Sequence, residues 1–258
     1  MRAVALHGDV LVCWSRVWQT SCTAVRAGEE ALVIDSPVYP DELELLPALV
    51  ERAGFEVKGV VATHADWDHL LGRAAFPDAP LGCAETTAAR LAAEPGRAQR
   101  ELRDFDERHY VERARTLSLP AAQALPVPGY CEVGDRELEL HPADGHTSDG
   151  MAVWIPWTAT LVCGDYLSPV EIPAISADGS LDGYRATLER LRPLVERAEA
   201  VVPGHGPVLE RERALTVLAE DDSYLEHLSR RGADAALPPG RTGAEQRRIH
   251  AGNADRLA

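Results

Sequence analysis

The first third of the chain alternates short apolar runs with polar turns, a pattern that predicts three β-strands, a helix and a fourth strand. The runs DVLVCWS, TSCTAVRAG and EEALVIDSP all have strand length. The next segment, DELELLPALVERAG, places Leu43, Leu46 and Leu49 at helical spacing. It stops at Gly54, a residue type that commonly ends helices. The compact apolar run VKGVVATH again has strand length and places His64 at its carboxyl end.

The middle of the chain has a different pattern. Residues 85–119 are charged and rich in arginine, and they predict two helices. These helices form either an ordinary solvated outer layer or a cap over a site, because long insertions between motifs are often lids. The segments YCEVGDRELELHPADGH and MAVWIPWTATLVCGD then predict strands, with a hairpin turn at Trp157-Thr158.

The last third returns to helices. A helix with Leu188, Leu191 and Val195 on one face leads into the strand EAVVPGHG, and two more helices are expected over about 209–257. The sequence contains no fixed-period repeat, low-complexity segment or long linker. We therefore expect one α/β domain over residues 1–258, with a helical cap insertion at about 85–119 and the C-terminal helices at about 209–257.

Charge narrows the class of partner. The formal net charge is −15 at pH 7, which repels phosphate backbones. We therefore expect a small-molecule substrate and no nucleic acid. No apolar run approaches the roughly 20 residues that a membrane-spanning helix needs, so no membrane partner is expected. The oligomeric state is left open, with a homodimer as one alternative.

The cysteines indicate the compartment. There are five, and none of them forms a C-x-x-C pair, which favours reduced thiols over a disulfide framework. The N-terminal segment MRAVALHGDVLVCW is interrupted by His7, Gly8 and Asp9 and is a poor signal peptide. Both observations predict a cytoplasmic protein.

Metal-binding residue types follow several of the predicted strands. VVATHADWDHLLG holds two histidines and two aspartates within six residues, and DGHTSDG, VCGDYLSP and PGHGP each add one donor. The glycine and proline residues around them fix the approach of the backbone. The candidates are His64, Asp66, Asp68, His69, His146, Asp165 and His205. Nitrogen and oxygen donors without a thiolate fit two divalent ions better than they fit a solvated loop.

In order and spacing these motifs resemble the metallo-β-lactamase-fold superfamily, in particular its hydroxyacylglutathione hydrolase and lactonase-like members. The matching segments are Thr63–His69, Gly145–Thr147, Gly164–Asp165 and Gly204–Gly206. LVIDSP is similar to the family's strand and turn, in which Asp35 is usually structural. The resemblance implies an αββα sandwich of two mixed β-sheets flanked by helices, with the site at one edge.

The resemblance also implies the roles of the donors at a centre with two metal ions. The first ion would be held by His64, Asp66 and His146, and the second ion by Asp68, His69 and His205. Asp165 would bridge the two ions. A hydroxide shared between ions roughly 3.5–4 Å apart would be the nucleophile. Asp68 would be the catalytic residue that orients the hydroxide and protonates the leaving group.

One position departs from the family pattern His-x-His-x-Asp-His, because Asp66 replaces the second histidine. Two dications with the usual two aspartates carry a formal charge of about +2. Asp66 lowers this charge to about +1, and a bound hydroxide lowers it further to about zero. A carboxylate is also harder than imidazole, which moves metal preference toward iron or manganese. Zinc remains the expected metal, with iron or manganese as the alternatives.

Asp66 leaves two further alternatives open. Flavodiiron proteins carry a glutamate at this position and use iron, but they depend on a flavin domain, and this chain has no glycine-rich nucleotide loop. Diiron redox chemistry is therefore a minor alternative. The aspartate side chain is also shorter than histidine, so Asp66 could fail to bind a metal and leave the first site weak.

The expected activity is hydrolysis of the carbonyl of a small ester, lactone or thioester. The alternatives are a phosphodiesterase or phosphotriesterase with the same metal pair, a diiron redox protein and a non-catalytic binding module. The remaining histidines are interpreted as ordinary residues, apart from His109, which lies in the predicted cap. Four residues are candidates for substrate contact, with simple packing as the alternative for each: Trp67, Tyr166, His109 and Tyr110.

Overall fold

Strands from the first half of the chain build one mixed β-sheet. The computed structural model describes residues 1–119 and 122–257, and within them the strands of this sheet pair in sequence order. They are β1 (Arg2–His7), β2 (Val10–Trp14), β3 (Ser21–Ala27), β4 (Glu30–Asp35), β5 (Glu56–Ala62), β6 (Leu81–Ala84) and β7 (Gln123–Leu125). Pairing is antiparallel from β1 to β4 and parallel from β4 to β7. The parallel part brings the carboxyl ends of β4 and β5 to the same edge.

The second half of the chain builds a five-stranded sheet in the order β12-β11-β10-β9-β8. Its strands are β8 (Gly129–Val133), β9 (Arg136–Pro142), β10 (Met151–Ile155), β11 (Thr160–Val162) and β12 (Ala200–Val202). All pairs are antiparallel except β11 with β12. That parallel pair places the loops after β11 and β12 side by side.

Helices cover the outer face of each sheet. On the first sheet lie α1 (Pro40–Arg52), α2 (Gly72–Ala75), α3 (Glu85–Ala93) and α4 (Arg97–His109). On the second lie α5 (Leu181–Arg197), α6 (Arg211–Arg231) and α7 (Ala244–Leu257). Among the described helices, none combines the length and the apolar content that a bilayer crossing requires.

The alternation of side chains along the strands produces the layers. In β2, Val10 and Val12 enter the core between the sheets, whereas Leu11 enters the core under the helices. In β10, Val153 faces the other sheet and Trp154 faces α5 and α6. Successive side chains of a strand point to opposite faces, so each strand serves two apolar layers. The expected αββα sandwich is confirmed.

Several elements differ from the sequence pattern. The pattern does not predict β6 and β7, which are four and three residues long and too short to show a period. It also misses β1, whose side chains are exposed along most of its length and so do not alternate. The expected turn at Trp157-Thr158 is a 3-10 turn over Pro156–Thr158.

The insertion is helical only in part. α3 and α4 account for its two predicted helices, but residues 110–119 contain no helix. α4 packs against the short 3-10 turn Trp67–His69, while α3 packs against β6 and β7. The insertion is therefore both an outer helical layer and a neighbour of the candidate site. Residues 120, 121 and 258 of the predicted domain lie outside the described part of the chain.

Candidate metal centre

The candidate donors meet at one edge of the sandwich because each follows a strand. Residues 64–69 follow β5, His146 lies in the loop between β9 and β10, Asp165 follows β11 and His205 follows β12. The first of these loops belongs to one sheet and the other three to the second sheet. The site therefore depends on how the two sheets stack.

Two glycines make the approach of these loops possible. Gly145, next to His146, has φ 118°, and a Cβ there would lie 2.0 Å from the backbone nitrogen of Tyr184. A Cβ on Gly204 would lie 2.2 Å from Oδ1 of Asp165. Any side chain at either position would displace a donor or its loop.

The first group of donor atoms lies on one side of the Asp165 carboxylate. Nε2 of His64 lies 3.7 Å from Asp165 Oδ2 and 3.8 Å from Asp66 Oδ2. Nε2 of His146 lies 3.3 Å from the same Asp165 oxygen and 3.4 Å from Asp66 Oδ2. Four ligands about 2.1 Å from a tetrahedral metal ion lie about 3.4 Å apart. These four atoms therefore have the spacing of a ligand shell.

The second group lies on the other side of the same carboxylate. Nε2 of His69 is 3.1 Å from Asp165 Oδ1 and 3.7 Å from Asp68 Oδ2. Nε2 of His205 is 3.3 Å from Asp165 Oδ1 and 3.6 Å from Asp68 Oδ2. Asp165 thus turns one oxygen to each group. All seven predicted donors are brought together, in two groups that share Asp165.

Buried polar atoms without partners show that a cation fits the residues present. Within the described residues, Nε2 of His64, His69 and His146 and Oδ1 of Asp165 are buried without a hydrogen bond. Leaving such atoms unpaired costs free energy, yet here they point to a common place. A divalent metal ion would satisfy them together, and the cluster is compatible with one.

The histidines present Nε2 to the site because other groups hold Nδ1. Nδ1 of His64 lies 3.0 Å from the Thr63 hydroxyl, and Nδ1 of His69 lies 2.9 Å from Asp35 Oδ2. Nδ1 of His146 lies 2.7 Å from the Ala174 carbonyl, and Nδ1 of His205 lies 3.4 Å from the Thr20 hydroxyl. Such outer contacts fix the orientation of a ligand ring. The four rings are therefore oriented by the protein itself.

Asp35 has contacts in keeping with a structural role. Its Oδ1 accepts a hydrogen bond from the backbone nitrogen of Thr63 at 2.8 Å, and its Oδ2 accepts one from the Thr63 hydroxyl at 2.8 Å. The same Oδ2 lies beside His69 Nδ1. Asp35 therefore joins the end of β4 to the start of the His64–His69 loop.

Charge and burial shift the pKa values of the donors in opposite directions. Burial alone would lower the pKa of His146 and of His205, but the nearby carboxylates raise them to about 9 and about 10. Burial would raise the pKa of Asp165, but the surrounding histidines hold it well below its ordinary value. The cluster therefore favours anionic aspartates beside positive charge, which protons or metal ions can supply.

Arg90 reaches the centre from α3 and was not a predicted site residue. Its Nη2 lies 3.0 Å from Oδ1 of Asp66, and its Nη1 lies 2.7 Å from Oδ1 of Asp149. The arginine side chain is buried. Arg90 is one of several arginines in its segment, and nothing in the local sequence distinguishes it from the others. Only the prediction of a cap indicated that this part of the chain lies near the site.

An aromatic group borders the second donor group. The ring of Trp67 lies 4.9 Å from that of Phe105 and 5.8 Å from that of Trp18. Trp18 lies 6.4 Å from the ring of His205 and is 41% exposed. The predicted contact residue Trp67 therefore stands in a wall of three aromatic rings, two of which sequence reasoning missed.

The prediction for Tyr166 is wrong. Its side chain is buried, its hydroxyl donates to the carbonyl of Asp144 at 2.7 Å, and it accepts from the backbone nitrogen of His146 at 2.9 Å. Tyr166 therefore supports the backbone of a donor and has no free surface for a substrate. The strand end turns this side chain inward, against Tyr184.

The two candidates at the end of α4 lie farther out. The exposed ring of His109 lies 4.4 Å from that of Phe105 and extends the aromatic wall. Tyr110 is 94% exposed, and it makes no ring contact with this group within the described residues. Substrate contact by either residue stays a prediction.

Comparisons with known proteins agree with the fold. The family model of the metallo-beta-lactamase superfamily matches residues 15–205, so the chain belongs to that superfamily. A metallo-beta-lactamase type 2 of Bacillus sp. (strain 170) is 24% identical over 68% of this chain and 62% of its own length. One of Pseudomonas aeruginosa is 22% identical over 70% of this chain and 65% of its own. The match thus spans less than two thirds of either relative.

A solved structure covers more of the chain. A metallo-beta-lactamase family protein from Thermus thermophilus superposes with a TM-score of 0.71, covering 98% of this chain and 92% of that one, at 20% identity. At that identity the likeness shows the fold. The activity of this chain rests on its own residues.

Proposed function

We propose that this protein is a dinuclear metal hydrolase that attacks the carbonyl carbon of a small ester, lactone or thioester and breaks its bond to the leaving oxygen or sulfur. The observation that carries the proposal is the division of the Asp165 carboxylate between two donor groups, with Oδ2 beside His64 and His146 and Oδ1 beside His69 and His205. One carboxylate shared by two four-atom groups is the arrangement of a bridged pair of ions.

The donor set defines what the residues would do. His64, Asp66 and His146 would hold the first ion and Asp68, His69 and His205 the second, with zinc as the expected metal. When bound, the ions supply a hydroxide at neutral pH and polarise the substrate carbonyl. The buried carboxylate of Asp68 lies in the second group, where it can orient the attacking oxygen and hold a proton for the leaving group.

The surroundings support a small and partly apolar substrate. The aromatic wall of Trp18, Trp67 and Phe105 stands beside the second donor group, where the apolar part of an acyl group could pack. The net charge of −15 disfavours polyanions and nucleic acids. The relatives named as metallo-beta-lactamases make cyclic amides a further class for the test.

A cytoplasmic location belongs to the same proposal. The chain has five cysteines and no C-x-x-C pair, a pattern that supports a reducing compartment. A homodimer remains an alternative for the oligomeric state.

A substrate panel with matched metal analysis tests the activity. The panel contains p-nitrophenyl acetate, lactones, a thioester, nitrocefin and bis-p-nitrophenyl phosphate. We expect two bound metal ions per chain and carbonyl hydrolysis that a chelator abolishes and added metal restores. Asp165→Asn should lower activity by at least about 100-fold because it weakens both sites. The exposed Asp104→Asn on α4 is the control and should change nothing.

The outcomes separate the rival activities. Faster turnover of the phosphodiester than of every carbonyl substrate would replace the proposal with a phosphodiesterase. Absence of bound metal, with no restoration by zinc, manganese or iron, would leave a non-catalytic binding module.

A further inference from the structure

The two oxygens of Asp66 have different neighbours. Oδ2 lies 3.4 Å from Nε2 of His146 and 3.8 Å from Nε2 of His64, within the first donor group. Oδ1 lies 3.0 Å from Nη2 of Arg90, where it accepts a hydrogen bond. One oxygen is thus available to a metal ion while the other is held from outside.

Arg90 is fixed firmly enough to hold that carboxylate. Nη1 donates to Asp149 Oδ1 at 2.7 Å. Nε makes no hydrogen bond within the described residues, but it lies at ion-pair distance from Asp178 Oδ2, at 3.2 Å, and from Glu94 Oε2, at 3.6 Å. Asp149 in turn accepts a hydrogen bond from the backbone nitrogen of Ala65 at 3.0 Å. The arginine is therefore tied to the same backbone segment that carries Asp66. A guanidinium held at three corners has little freedom to move away.

Asp178 is fixed as well. It accepts hydrogen bonds from the hydroxyls of Ser176 at 2.7 Å and Ser148 at 2.9 Å. Arg90 therefore connects α3 to Asp66 in the loop after β5, to Asp149 in the loop that carries His146, and to Asp178 in the segment between β11 and α5. Asp149 and Asp178, its carboxylate partners, are thus held by other groups of the protein.

From these contacts we infer that Arg90 is a positioning residue that makes Asp66 a one-oxygen metal ligand, so that the Asp66–Arg90 pair takes the place of an imidazole. This inference rests on the proposed metal centre. An aspartate is shorter than a histidine and can rotate, so without a fixed outer partner its carboxylate would present either oxygen, both or neither. The hydrogen bond from Arg90 selects Oδ2.

Arg90 also offsets part of the charge that Asp66 adds. Asp66 adds one negative charge to the first donor group, and the guanidinium, which it shares with three other carboxylates, places positive charge directly against it. Asp149 and Asp178 lie at the other corners of the guanidinium and hold it in place. Because no ligand of the second group contacts Arg90 within the described residues, its effect should be confined to the first site.

The test measures metal affinity and not activity. Each variant is stripped with a chelator and titrated with zinc against a chromophoric competitor, which yields a dissociation constant for each of the two sites. We expect Arg90→Met to weaken one site by about 10- to 100-fold, the usual effect of removing an outer partner of a ligand. The other site should be unchanged, and Arg90→Lys should restore part of the loss. Arg103→Met, exposed on α4 in the same insertion, is the control.

Repeating the Arg90 substitution in an Asp66→His protein separates a positioning role of Arg90 from a role in folding alone. Asp66→His supplies an imidazole that needs no carboxylate partner, so Arg90→Met should have little effect on metal affinity in that background. Equal losses in both backgrounds, equal weakening of both sites, or no loss at all would overturn the inference. If the unmodified protein binds fewer than two ions, the proposed dinuclear function fails instead, so the two failures are distinguishable.

Discussion

Asp66 is the residue that separates this centre from the histidine-rich motif it resembles. Its side chain has fewer atoms than histidine, yet its Oδ2 reaches the same donor group as His64 and His146. This position of Oδ2 favours participation of Asp66 in the first donor group over the alternative that its side chain is too short. At the residue scale, a carboxylate and an arginine together occupy the place of one ring.

We predict that Asp66→His shifts metal preference toward zinc. Imidazole is a softer ligand than carboxylate, and removing one negative charge reduces the advantage of iron and manganese. Protein produced in medium with equal zinc, iron and manganese should carry a higher zinc fraction in the variant by elemental analysis. Asp104→Asn, on the exposed face of α4, is the matched control. An unchanged metal profile would contradict this account of Asp66.

At the scale of elements, α7 supports the loop that follows Asp165. Asn253 accepts a hydrogen bond from the backbone nitrogen of Ile175 at 2.9 Å and donates one to the carbonyl of Pro173 at 2.7 Å. Between these residues, the carbonyl of Ala174 holds Nδ1 of His146. A helix outside residues 15–205, the part matched by the family model, therefore helps to orient a donor.

We predict that Asn253→Ala weakens both the fold and the first metal site. The change leaves buried backbone groups of residues 173 and 175 unpaired, which costs about 1–3 kcal/mol of unfolding free energy. Urea unfolding would measure that loss, and the competition titration would show weaker binding at one site. Asp255→Ala, exposed on the same helix, serves as the control. Lower stability with unchanged metal affinity would limit α7 to a stabilising role.

At the scale of the whole molecule, the sandwich concentrates acidic and basic groups at one buried edge. The carboxylates raise the pKa of His146 to about 9 and of His205 to about 10, above the ordinary value near 6.5. They also raise the pKa of His69, although burial acts against it. His64 differs, because burial and the charge of His69 lower its pKa. Three of these four histidines therefore have a raised pKa.

These shifts predict a pH dependence with a definite sign. Groups whose pKa is raised on folding stabilise the chelator-treated protein fully below about pH 6.5, and the contribution is lost as the pH rises through about 9 to 10. Its melting temperature should therefore fall between pH 7 and pH 10. Zinc affinity should rise over the same range because fewer protons must be displaced.

Thermal unfolding and zinc titration at constant ionic strength measure both trends. His205→Gln should flatten the fall in melting temperature, while the exposed His227→Gln should leave it unchanged. A melting temperature of the chelated protein that rises with pH, or an identical slope in His205→Gln, would contradict the prediction.

Much of the fold and the donor set could be read from the chain alone. Apolar runs of strand length mark β2, β3, β4, β5 and β10, and helical spacing marks α1 and α5, because these signals lie within a few residues of one another. The donors stand at strand ends between glycines and prolines, which is also a local pattern. Very short strands such as β6 and β7 contain too few residues to show one.

The sequence by itself thus determined most of the strands and helices, seven donor candidates and the unusual Asp66, and its resemblance to the superfamily implied the αββα class. Only the tertiary structure decided how their oxygens and nitrogens divide into two groups around Asp165, and that Tyr166 turns inward. It also placed Arg90 against Asp66, 24 positions away, and against Asp149, 59 positions away. The physical reason is that contacts between distant segments depend on strand order, sheet stacking and helix placement, none of which leaves a periodic trace in the local sequence.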